Sequence, residues 1–192
     1  MQSQRKKLGE VADIIAGLTG FESTGRYKYQ VIQPINLSED GELAGTTFLC
    51  RSDPLPQKQL LVPGDILIKR LNPSYVFQIN APVKDLTFSQ NMFAIRPKDG
   101  IDSNYLAFLL EQQDVLGEIM HVTGKASVVK AISAKMLNDV VVPIPPYERQ
   151  QTVGRLWTLF RKRRRLLHKY IQENDALESS LATKILNDGG TD

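Results

Sequence analysis

The sequence predicts an α+β protein: a mixed α/β domain over residues 1–144, one long helix over 145–187 and a short flexible tail over 188–192. Three observations predict it. Up to Ile144, short apolar runs alternate with turns carrying glycine or proline, the pattern of short strands interrupted by helices. From Tyr147 to Leu186 there is no proline and Gly154 is the only glycine, a continuity that belongs to a helix. Charge also segregates along the chain. Residues 151–170 hold seven basic residues and no acid, residues 171–192 hold five acids and one lysine, and residues 1–150 balance at 16 of each sign.

The 192 residues, 42% of them apolar, suffice for one ordinary core and an appendage, and argue against a disordered chain. A single cysteine, Cys50, forbids an internal disulfide and suits a reducing compartment, where it serves as a small apolar side chain. The first residues, MQSQRKKLGE, lack the apolar centre of a secretory signal, and no apolar run approaches a membrane span. A cytoplasmic protein with no membrane partner is expected.

Taken in order, residues 5–20 form a short apolar-spaced element ending in a glycine turn at Gly17–Gly20. The segment Phe21–Tyr29 interleaves Arg26 and Lys28 with Tyr27 and Tyr29 before running into the strand-like Val31–Ile35. On an exposed loop such side chains stack on bases and pair with phosphates; on an edge strand with one wet face they need no ligand. Residues 40–56 resemble a hairpin excursion. Leu61–Asp65 is a turn, and the buried strand Ile66–Ile68 delivers Lys69, Arg70, Asn72 and Ser74 into a polar loop. Arginine to guanine and asparagine to adenine are the bidentate pairings of the major groove, so this loop is the leading base-reading candidate, against a solvated turn.

Tyr75–Asn80 and Asn91–Arg96 read as further strands. Ser103 is placed to cap a helix whose apolar face, Tyr105 through Met120, is core. The segment His121–Lys130 is a glycine-bearing loop offering Lys125, Ser127 and Lys130, after which Ser133 caps a short turn before the strand Val140–Ile144.

Pro145 and Pro146 open the long helix, and Gly189 and Gly190 follow it. Val153, Phe160, Leu167, Asn174 and Leu181 recur every seven residues. Leu156, Trp157, Tyr170, Ile171, Leu177 and Ile185 widen that row into a coiled-coil seam, interrupted by Arg163 and Arg164. A seam of this length predicts a partner helix, with Val153, Trp157, Phe160, Leu167, Ile171, Asn174, Leu181 and Ile185 as its contacts. Packing of the helix on its own domain is the alternative.

No catalytic set is legible. Ile144-Pro145-Pro146-Tyr147 resembles the catalytic string of amino-methyltransferases, but Ile144 cannot accept from a base amino group. Asp65 with Lys69 lacks the intervening acid of a metal-dependent nuclease. His121 and His168 have no ligand at metal spacing, so no metal is expected. Gly124-Lys125-Ala126-Ser127 lacks the earlier glycine of a phosphate loop, and no Gly-x-Ser-x-Gly exists. These absences favour a binding protein with no cofactor of its own.

Seven strings then point one way: LGEVADI from Leu8, LVPGDILIKR from Leu61, NMFAIRP from Asn91, YLAFLL from Tyr105, Gly124-Lys125, SAKML from Ser133, and VVVPIPPYERQQTVGRLW from Val140. In this order they resemble the specificity subunit of type I restriction-modification systems, over nearly all of residues 8–187. One departure is Arg149, which stands before Gln150 where the family commonly has an acid. The resemblance implies a non-catalytic target recognition domain followed by a coiled-coil-forming helix; the usual subunit has two such units, this chain one. It further implies double-stranded DNA as ligand and a methyltransferase subunit as partner, carrying the S-adenosylmethionine. A restriction (motor) subunit is a further implied partner. A homodimer joined through the helices would read an inverted-repeat target. The alternatives are a protein–protein scaffold docking through its basic helix and, behind it, a DNA amino-methyltransferase.

Overall fold

The computed structural model describes residues 3–19, 25–38, 43, 45, 47–121 and 131–188. The strands are β1 (Gln4–Lys7), β2 (Ala12–Ala16), β3 (Tyr27–Ile32), β4 (Phe48–Ser52), β5 (Ile66–Lys69), β6 (Val76–Gln78), β7 (Leu86–Phe88), β8 (Met92–Pro97) and β9 (Val141–Ile144). The helices are α1 (Leu8–Val11), α2 (Ser103–Leu110), α3 (Gln113–His121), α4 (Ala134–Asp139) and α5 (Tyr147–Asp188). The α+β class is as the sequence predicts. Met1–Trp157 form one compact unit and Thr158–Asp192 another, so the first turns of α5 belong to the first unit.

Within the first unit, an antiparallel sheet ordered β2-β8-β5-β6 is covered on both faces. Period-two alternation explains how. Ile66, Ile68, Val76, Phe93 and Ile95 point to one side, where Leu106, Leu110, Ile119 and Leu137 of the helices meet them. Leu67, Phe77, Met92 and Ala94 point to the other, where Ile32 and Phe88 of a second sheet, ordered β4-β3-β7, complete a second core. Strand β5 is therefore apolar and buried over Ile66–Ile68, as a stretch covered on both faces must be, before it ends on Lys69. The third sheet pairs β1 with β9, and Leu8 N donates to Val140 O at 2.8 Å, holding the chain's start against the strand that leads into α5.

Several local expectations change. In place of the single element expected over 5–20, Gln4–Ala16 form a strand, a single helical turn and a second strand. The N-cap of α2 is Asp102, whose Oδ1 accepts from Tyr105 N at 2.9 Å, with Ser103 already helical; both residue types cap well, and the sequence alone does not choose between neighbours. The predicted helix through Met120 is two helices, interrupted at Glu111–Gln112. Strand β3 is not an edge: it lies between β4 and β7 and begins at Tyr27, so Tyr27 and Lys28 stand on a strand and not in a loop. Ser133 does cap the next helix, its Oγ accepting from Met136 N.

The turn before β5 carries more than a turn requires. Gly64 has φ +95°, where an L side chain is strained. Asp65 beside it is fully buried and takes a fork from Arg96, with Nε and NH2 each at 2.7 Å, plus Val62 N at 2.9 Å. That pairing holds the Arg96 guanidinium above its usual pKa. Cys50 is buried, and burial pushes its thiol up, which keeps it protonated and inert.

Candidate nucleic-acid interface and helix seam

The base-reading loop is fixed by its backbone. Arg70 N donates to Asn91 O and Arg70 O accepts from Ile132 N, each at 2.8 Å, and Leu71 bridges Ala131. Asn72 adopts φ +47°, a conformation asparagine tolerates better than most residues, and Pro73 is buried. Arg70, Asn72 and Ser74 are consequently exposed on a well-braced scaffold. Lys69 is not with them. It is half-buried, its Nζ donates to Tyr75 OH at 2.6 Å and sits 4.7 Å from the ring centroid, and that hydroxyl donates to Leu37 O. Lys69 braces the loop from inside, a role invisible without knowing where Tyr75 turns.

Arg26 and Lys28 are exposed at and just before β3, on a different sheet from the Arg70 loop. Sequence reasoning missed their neighbours. Lys28 and Gln30 alternate outward while Tyr29 and Val31 are buried, and the register sets exposed Leu49 opposite Gln30, and Arg51 opposite Lys28. The signal was present as the two-residue spacing of Arg26, Lys28 and Gln30. Lys125, Ser127 and Lys130 lie outside the described residues, as do residues 189–192 of the predicted 188–192 tail, whose first residue, Asp188, instead closes α5.

The start of α5 is bolted to α2. Gln150 is 2% exposed; its Nε2 donates to Pro145 O at 2.9 Å and its Oε1 accepts from the backbone N–H of Asp102 at 3.0 Å. Arg149, the departure from the family pattern, is exposed beside it and leaves this clamp intact. Gly154 explains itself in the same place. A Cβ there would stand 2.6 Å from Asp102 Oδ1 and 2.9 Å from Tyr105 N, so close approach of the two helices requires glycine despite its poor helix propensity. Val153 and Trp157 pack on the first unit's own core, and Trp157 Nε1 donates to Glu111 Oε2 at 3.1 Å. Two of the eight predicted seam residues are thus occupied within the chain.

Beyond them, Leu156, Phe160, Leu167, Tyr170, Ile171, Leu177, Leu181 and Ile185 are about half exposed or more, and Asn174 is exposed among them. No group of three potential metal ligands occurs among the described residues, and among them no helix is long and apolar enough to cross a membrane.

Comparison with known proteins adds the family. The sequence model described as the type I restriction modification DNA specificity domain matches residues 2–177. Among curated proteins none matches. A chain from a study of complex assembly and conformational transition of the type I R-M system superposes with a TM-score of 0.68 at 23% identity, over 97% of this chain and 45% of that one. The HsdS subunit from Thermoanaerobacter tengcongensis gives 0.59 at 24% identity, over 84% of this chain and 38% of that one. The type I restriction-modification S subunit from M. genitalium gives 0.62 at 14% identity, over 96% and 46%. At these identities the likeness shows a shared fold, and this chain spans less than half the length of each. Specificity subunits are the non-catalytic members of such systems. With the family's signature over residues 2–177 and the same fold beneath it, the chain belongs to the type I restriction-modification DNA specificity domains.

Proposed function

We propose that this chain reads one half of a bipartite double-stranded DNA target, without chemistry of its own, and pairs with a second copy through α5. Residues 1–144 are the recognition domain and 145–187 the helix that dimerises and docks methyltransferase subunits. S-adenosylmethionine belongs to those subunits, and a restriction subunit is a further partner. The observation that carries this reading is the apolar row from Leu156 to Ile185, exposed on a helix too long to be needed for the first unit's core. A row of this kind costs solubility unless something covers it. Two-fold pairing of identical readers leads to an inverted-repeat target. The exposed Arg70, Asn72 and Ser74, and separately Arg26, Lys28 and Gln30, supply base-reading and phosphate-contacting chemistry.

Selection from a random duplex library, with methyltransferase subunit present, tests the assignment of the loop. Arg70→Ala is expected to relax one position of the enriched motif, at about 1–3 kcal/mol for a lost bidentate contact. Lys162→Ala is expected to leave the motif unchanged and to weaken all sequences or partner docking alike. An unchanged motif in Arg70→Ala removes the loop from the reading. The basic block Arg161–Arg165, exposed at Lys162, Arg163 and Arg164, favours the scaffold as second reading, and that reading predicts that even the unaltered chain enriches no sequence.

A further inference from the structure

The turn that follows β3 holds one apolar side chain out in solvent. The strand-like run expected over Val31–Ile35 ends at Ile32, and Pro34–Asn36 form a single 3-10 turn. Pro34 opens that turn with its φ fixed by the ring. Asn36, 4% exposed, closes it from inside: its Oδ1 accepts from Gln33 N at 2.9 Å, and its own N–H donates to Gln33 O at 2.9 Å. Leu37 is buried and bridges Leu43. Between Pro34 and Asn36, Ile35 is 83% exposed, which makes it the most exposed large apolar side chain among the described residues.

A lone exposed isoleucine is ordinary in itself. This one differs in what its turn is tied to. Leu37 O accepts from Tyr75 OH at 2.8 Å, and the same hydroxyl accepts from Lys69 Nζ at 2.6 Å. Lys69 immediately precedes Arg70, and Tyr75 immediately follows Ser74. Both ends of the Arg70 loop are thus fastened to the turn that carries Ile35. The second core supports the two together, with Leu37 and Leu67 inside it and Tyr75 packed against it.

We infer that Ile35 is a specificity-determining residue beside Arg70, Asn72 and Ser74, and that its ligand is the C5-methyl group of a thymine in the major groove. The inference rests on the DNA reading proposed above and adds a contact that hydrogen bonding does not supply. Arginine and asparagine select guanine and adenine by the donors and acceptors on their edges, whereas the thymine methyl is read by apolar contact. Isoleucine suits that contact. Branching at Cβ restricts χ1, so little rotamer freedom is lost when the side chain is covered. The backbone beneath it is already held by the Asn36 and Tyr75 hydrogen bonds.

Deoxyuridine in place of thymine removes the methyl and leaves the base-pairing edge intact. The element enriched by the full-length chain with a methyltransferase subunit is prepared with each thymine replaced in turn. Affinities are then compared for the unaltered chain and for Ile35→Ser, a substitution that at 83% exposure removes nothing from a core. At one thymine the replacement is expected to weaken binding by the unaltered chain about fourfold, the effect of burying one CH2-sized group. Ile35→Ser should bind the thymine and deoxyuridine duplexes equally at that position, the coupling that a double-mutant cycle reads. An enriched element without an A·T pair, no position sensitive to deoxyuridine, or the same sensitivity in Ile35→Ser each overturns the inference while leaving sequence reading in place. A contact of Ile35 with a protein subunit instead would give one of the last two results, because such a contact is blind to the methyl. Enrichment of no sequence by the unaltered chain overturns the reading itself, and the role of Ile35 with it.

Discussion

Replacing Leu167 and Ile171 together by aspartate is expected to leave a folded monomer. Both lie beyond the compact unit that ends at Trp157, and both are about half exposed in the single chain, at 52% and 54%. Their loss therefore removes no core from the first unit. Fully burying such a side chain is worth about 1.5–3 kcal/mol, and about half of that remains to be gained on pairing. Four side chains across a two-fold interface then supply about 3–6 kcal/mol, on the order of a hundred- to ten-thousand-fold in dissociation constant. Aspartates facing one another add repulsion. Light scattering over a dilution series should show half the mass, with the thermal transition of the first unit unmoved. A full dimer mass would mean that α5 pairs through another face.

The largest expected loss of stability comes from Asp65→Ala. Asp65 is fully buried and Arg96 a quarter exposed, and removing the carboxylate strands a guanidinium whose remaining acceptor is Leu60 O at 2.9 Å. Breaking a buried pair from one side costs about 3–5 kcal/mol, and Arg96's residual exposure places this case near the lower end. Val62 N loses its acceptor as well. In a chain of this size about 3 kcal/mol corresponds to a melting temperature lower by about 6–12 °C. Replacing both partners by leucine should recover much of it, because the desolvated charge is then gone. Thermal denaturation followed by circular dichroism checks both variants. Equal destabilisation of the single and the double variant would mean that the site needs the charges themselves.

Much of this fold can be read from the chain because its signals are local. The run Met92–Pro97 and the apolar Ile66–Ile68 of β5 announce central strands, and the absence of proline after Pro146 announces α5. What stays hidden depends on where distant residues meet. Asp65 looks like a turn residue until β8 brings Arg96 beside it, and Gln150 looks like an ordinary first-turn residue until α2 presents the N–H of Asp102. The candidate interface divides in the same way. Strand ends located Arg70, Asn72 and Ser74, whereas Lys69 is withdrawn by Tyr75, a partner six residues on with no spacing rule behind it. On α5 the heptad predicts a seam but not where the first unit takes up its start, which Val153 and Trp157 decide through Gly154's close approach to α2.

The position of Gln150 also bears on how recognition is transmitted. It joins the helix start to the cap of α2, and α2 lies directly on the sheet whose β5 ends in the Arg70 loop. The loop and the helix start are therefore connected through packed elements and not through a linker, which fits the proposal of a reader that holds its bases at a fixed place relative to the helix start.

The central claim is that two copies of this chain together read an address that one copy reads by half. Selecting bound duplexes from a random library with the unaltered chain and a methyltransferase subunit, then sequencing them, tests it most directly. The expected result is two short identical elements in inverted orientation, separated by a gap of fixed length and indifferent sequence. A single continuous motif, or two elements repeated in the same orientation, would contradict it.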